Sequence, residues 1–346
     1  MDPTPRNLIG SFVAAILFVA FAGYLYLPHG SRLAGWQWLL PVNACVAAFG
    51  AYVLSRRWTP GVSGAILAGL LYGFGPFLLG LAKAHPLAGL PAACVPWLFV
   101  PATLAQKRFG KAAGLGLLVL PFAAILLFSR VSASQRFFAA PLQTSVRPTD
   151  LAGFVAPLAL IPRNSALVGL YHVPMAALVL GLAMMGKARR YSLLGLVLVG
   201  FVLAFSKTFL SARQVAWLGV SPILWLSIPL TGCAVLAGIG LHGLIAAGYA
   251  DRKWILAATI VLGGLAIAAL LLAAHCFQVI LGLGDGYARL FVEAAKAYLL
   301  GVVATGIVFG ITHSKLRLHA LRWAILCVAL AVDIFLGARY IVDRLL

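Results

Sequence analysis

Acidic residues are almost missing from this chain: its 346 residues include 7 Asp+Glu against 26 Lys+Arg, a formal charge of +19. Charge of either sign is scarce, 10% of residues, which excludes an ordinary soluble domain, since such a domain needs far more polar surface to cover its core. Cysteine is sparse and scattered, with Cys45, Cys94, Cys233, Cys276 and Cys327 far apart in apolar sequence. Without a CxxC or a Cys/His cluster, nothing supports structural zinc or an iron–sulfur cluster, and the five read as small buried hydrophobes. Neither a metal nor another cofactor is expected. A continuous basic surface with interleaved aromatics is missing too, so the positive charge does not point to nucleic acid. Polar/apolar alternation over short segments is also lacking, which excludes a membrane β-barrel.

What the chain has in abundance is apolar sequence: 63% of residues are hydrophobic and the mean hydropathy is +1.04. Apolar runs of about 18 residues or more recur from end to end, enough to cross about 30 Å of hydrocarbon as helices. The fold class expected is therefore all-α, a polytopic transmembrane bundle of about eleven spans forming a single domain over residues 1–346. The spans are placed at 8–27, 37–54, 62–81, 87–105, 112–128, 166–185, 192–208, 222–248, 254–281, 290–311 and 323–342. The first is long for a signal-peptide core, and PHGS after it is a poor cleavage site, so it reads as a retained helix.

Between these runs the basic residues alternate sides. Arg6, Arg56-Arg57, Lys107-Arg108-Lys111, Lys187-Arg189-Arg190, Arg252-Lys253 and Lys315-Arg317-Arg322 fall in short loops on one face. The positive-inside rule makes that face cytoplasmic, with the N-terminus inside and the C-terminus outside. The longest outer loop is expected at about 129–165, punctuated by Pro141, Pro148, Pro157 and Pro162. Pro174, Pro222 and Pro229 are expected at span starts or kinks.

Ionisable residues inside spans are candidate sites, because a charge at bilayer depth costs several kcal/mol unless paired or wetted. Asp333, in LCVALAVDIFLG, is one: a proton relay or ligand contact, or an interhelical hydrogen bond that fixes packing. Asp285, Arg289, Glu293 and Lys296 share one helical face, as a self-satisfied ionic stripe or the wall of an outward cavity. His242 and His275 do not match in depth and make a poor haem pair. The runs GAILAGLLYGFGPFLLG and GCAVLAGIGLHGLIAAG repeat Gly and Ala at three- and four-residue spacings, which permits close helix approach.

The order of several segments resembles a known family. Residues 43–104 (NACVAAFGAYVLSRRWTPG onward) look like the early spans of the YfhO-like bacterial membrane proteins of the GT-C glycosyltransferase superfamily. PTDLAGFVAP resembles that family's outer-loop start, SIPLTGCAVLAGIGLHGLI its late small-residue helix and LAVDIFLGARYIV its closing span. The resemblance implies a GT-C-like fold in the bacterial cytoplasmic (inner) membrane. It would also imply a carboxylate in the first outer loop that holds a metal or acts as base, yet PHGSRLAGWQWLLP contains no Asp or Glu. Where the family tends to carry a Pro-Arg pair, this chain has Ile228-Pro229-Leu230.

The function expected is therefore a non-catalytic GT-C-like membrane protein, a structural or accessory subunit that contacts membrane lipids and other membrane protein subunits. One alternative is a polyprenyl-phosphate-sugar-dependent glycosyltransferase with Asp150 as base and Arg130, Arg136, Arg147, Lys207 and Arg213 on the lipid phosphate. A second is a transporter or lipid flippase.

Overall fold

The structure is a computed structural model and describes residues 5–59, 61–84, 87, 89–135, 191–205, 222–279, 285–313 and 319–345. Among these residues every regular element is helical: α1 Pro5–Tyr26, α2 Leu39–Ser55, α3 Val62–Gly73, α4 Pro76–Ala84, α5 Gly89–Phe109, α6 Lys111–Leu117, α7 Val119–Gln135, α8 Tyr191–Ala204, α9 Pro222–Trp225, α10 Ser227–Ile245, α11 Arg252–Val279, α12 Asp285–His313 and α13 His319–Leu345. Among the described residues nine helical stretches are long and apolar enough to cross a membrane, and the protein is an integral membrane protein built as a helical bundle.

Several expected spans are broken in ways their hydropathy does not show. Span 62–81 divides at Phe74 and Gly75 into α3 and α4, where the helix would run into Pro76. Span 112–128 divides at Leu118 into α6 and α7. Helix α7 continues to Gln135, so the first residues assigned to the long outer loop are helical, and the rest of that loop lies outside the described residues, as does span 166–185. Span 192–208 appears as the 14-residue α8. Pro222 opens α9 and Pro229 sits in the first turn of α10, where a missing N–H costs nothing. Helix α5 carries Pro96 and Pro101 in its interior.

At the centre α3 and α10 pack against each other, with α1, α2, α5 and α8 around them. Small residues make this contact possible: a Cβ at Gly64 would lie 2.4 Å from the Gly238 carbonyl oxygen, and one at Gly238 the same distance from that of Gly64. Helix α2 approaches α3 as closely, with Gly69 and Gly73 against the Ala48 and Ala44 carbonyls. In lipid no hydrophobic effect drives helices together, so such van der Waals contact is what holds them. Phe18 and Phe21 of α1 close the core edge-on against Tyr52 and Phe74, and Phe21 also meets Phe335 of α13.

Helices α11 and α12 form a long pair with a small core of its own, in which Leu262 and Ala266 face Ala295 and Tyr298. The turn before α11 is tied by Asp251, which accepts from the Gly248 backbone N–H (2.9 Å) and Trp254 Nε1 (3.0 Å) and places a negative charge at the helix start. Arg252 stacks over the Tyr249 ring and donates to its hydroxyl.

Candidate functional site

The basic loops meet at one end of the bundle. Gly61, before α3, faces His242 near the end of α10. At the start of α13, His319 Nδ1 donates to the Ile245 carbonyl (3.2 Å) and Arg322 Nη1 to that of Ala247 (2.5 Å). Side-chain donors of α13 thus satisfy the Ile245 carbonyl at the end of α10 and the Ala247 carbonyl just beyond it. At the opposite end, His29 lies 3.0 Å from Asp343, and Arg339 is 3.6 Å from the same carboxylate.

Arg322 corrects the sequence expectation. It was placed with the loop charges facing lipid headgroups, but it lies in the first turn of α13, 4% exposed, and spends its guanidinium on protein. Lys111, also assigned to a loop, starts α6 after Gly110, whose φ of +92° with ψ 178° is open essentially to glycine alone.

Between α2, α5, α6, α8 and α10 runs a cavity of about 220 Å³. At its basic end stand Trp58, Gln106 and Lys111; its walls are Leu54, Phe99, Leu115, Leu193 and Leu196; Thr231 and Val235 close it from α10. Gln106 and Phe99 are seven residues apart on α5, so the cavity reaches about 10 Å along the helix axis. Both threonine hydroxyls of the lining are already engaged. Thr103 donates to the Val100 carbonyl (2.8 Å) and Thr231 to that of Ser227 (2.7 Å). Tyr72, beside Thr231, donates to the Ala92 carbonyl (2.6 Å). Lys111 is the ionisable residue of the lining, which contains no carboxylate.

Of the sequence-derived site residues, those described, Lys296 and Asp333, do not line this cavity. Asp150, Arg136, Arg147, Lys207 and Arg213 lie outside the described residues, as do the side chains of Arg130 on α7 and Glu293 on α12. Lys296 is exposed on α12. Asp333 is half-buried on α13, within electrostatic reach of the buried Tyr298 on α12. His242 ends its helix at the basic end, whereas His275 lies 23 residues into α11, about 34 Å further along its axis. Among the described residues no three His, Cys, Asp or Glu side chains group as a metal site would require.

The chain matches no family model, no curated protein and no solved structure.

Proposed function

We propose that the protein is a non-catalytic accessory subunit of a membrane protein complex, seated in the bacterial cytoplasmic membrane with its basic end toward the cytoplasm. The observation that carries this reading is the chemistry of the cavity: an apolar slot whose ionisable group is a lysine, with no carboxylate to act as base. Two carboxylates elsewhere hold the protein together, Asp251 in the turn before α11 and Asp343 with His29 and Arg339. The orientation rests on Arg56, Arg57, Arg108, Lys111, Arg252 and Lys253, which cluster near one end. The reading keeps eleven crossings, with the N-terminus inside and the C-terminus outside. In family terms the reading stays with the GT-C-like resemblance, stripped of its acidic loop.

Native mass spectrometry of the protein extracted gently from its own membrane tests this role. A stoichiometric assembly with other membrane subunits is the expected result. A lone monomer carrying a polyprenyl-phosphate lipid would replace it with the transferase alternative, in which Asp150 is the base.

A further inference from the structure

We infer that the cavity between α5, α6 and α8 is a binding site for one acyl chain of an anionic phospholipid, with Lys111 holding the headgroup. Three observations lead there. The opening lies along α6, where Lys111 and Leu115 are both exposed and stand one turn apart on the same face. A cation at the basic end with an apolar residue one turn deeper is the polarity of a phospholipid at an interface, headgroup outward and chain inward. Behind Leu115 the slot is walled by Phe99, Leu193 and Leu196. Its volume of about 220 Å³ is below the roughly 300–1,000 Å³ of sites that enclose a drug-sized molecule, so it takes part of one chain and leaves the headgroup outside.

The charge around the mouth selects the headgroup. Arg108 is exposed three residues before Lys111, and Arg56 and Arg57 end α2 beside Trp58, which lines the slot. Among the described residues no Asp or Glu falls between Tyr26 and Ala204. A zwitterionic headgroup presents its own cation to this cluster, whereas a phosphatidylglycerol headgroup does not. Gly110 sets the position of Lys111, because its left-handed backbone lets α5 end and α6 begin within one residue.

The inference rests on the membrane reading and not on the accessory role; a protein that purifies alone can still hold this lipid. Trp58 supplies the test. Full-length protein is reconstituted into vesicles containing either phosphatidylglycerol or phosphatidylcholine with dibrominated acyl chains, and tryptophan quenching is followed against the mole fraction of brominated lipid. The Trp58 signal is taken as the difference between wild type and Trp58→Phe. It should be half-quenched at about fivefold less phosphatidylglycerol than phosphatidylcholine, the preference expected of one basic residue at an anionic surface, and Lys111→Glu should erase that preference. Lys111 is exposed, so this variant keeps the fold; Leu115→Gln, which leaves the charge and wets the apolar gate, should weaken quenching by both lipids. Equal quenching by the two lipids, or a preference that survives Lys111→Glu, overturns the inference. So does loss of the Trp58 signal to inorganic phosphate at matched ionic strength, because a headgroup alone would then suffice.

Discussion

Helices α10 and α11 are both apolar on every side, yet one is the most buried helix of the bundle and the other lies at its edge. In α10, 89% of the apolar window is buried; in the span containing α11, 28%. Hydropathy does not separate them and in fact ranks α11 as the more hydrophobic, 2.7 against 1.8. Side-chain size does. Helix α10 is built on Gly232, Ala234, Ala237, Gly238 and Gly240, which let α3 and α8 come within backbone contact. Helix α11 shows Leu256, Ile260, Ile267 and Leu271 outward and turns Ala258, Ala266 and Ala269 to the seam with α12. In a bilayer both environments are apolar, so what sorts a helix inward is the close approach that small residues permit.

The sharpest way to break this contrast is to add one methyl group to each helix. Gly238→Ala places a Cβ 2.4 Å from the Gly64 carbonyl oxygen, where backbone must move, and should cost about 1–3 kcal/mol or abolish folding. Gly264→Ala on α11 meets nothing within 4 Å and should leave stability unchanged or slightly raised. Thermal unfolding in one detergent compares the two. Equal losses would show that packing does not distinguish these helices.

The next largest effect concerns the ties at the end of α10. Arg322→Ala removes a buried charged donor from the Ala247 carbonyl and should cost about 1.5–3 kcal/mol in the same unfolding assay. A smaller loss, about 0.6 kcal/mol, is expected for Tyr72→Phe, which gives up one bond from α3 to the Ala92 carbonyl, as typical of interhelical hydrogen bonds in membranes. Smallest is Arg339→Ala: the Arg339–Asp343 pair is half-exposed and one helical turn apart, so its removal should change stability by about 0–0.5 kcal/mol. An Arg339 effect as large as that of Arg322 would contradict the distinction between a buried tie and a surface pair.

How much of this was legible in the sequence follows from what each feature depends on. Helix identity depends on local apolar length, so the runs that became α1, α2, α11, α12 and α13 could be placed within a few residues of their observed ends. Breaks depend on single residues: the α3–α4 break follows from GFGP, which the hydropathy of residues 62–81 hides, and the α6–α7 break at Leu118 has no strong local signal. The close contacts were foreshadowed by the glycine spacing in residues 64–80 and 232–248, although the pairing of Gly64 with Gly238 was not, because partners distant in sequence leave no local trace. For the same reason the cavity escaped notice, since five helices build it. Arg322 was misjudged because its segment, KLRLHALR, reads as a basic loop until the start of α13 at His319 is known. One local signal did exist for Lys111: Gly110 ahead of it and Leu115 one turn on mark the start of an interfacial helix.

Helix α11 faces lipid while α10 does not, and a spin label tests this directly. In a background with the native cysteines replaced, a nitroxide is placed at Leu271, 66% exposed on α11, and at Trp36, 64% exposed in the turn before α2, with the protein in lipid bilayers. Collisions with dissolved oxygen and with a water-soluble nickel complex are then compared. The account predicts that Leu271 is reached by oxygen and shielded from nickel, while Trp36 is reached by nickel. Nickel access at Leu271 equal to that at Trp36 would put α11 in water and contradict both the membrane assignment and the sorting of the two helices.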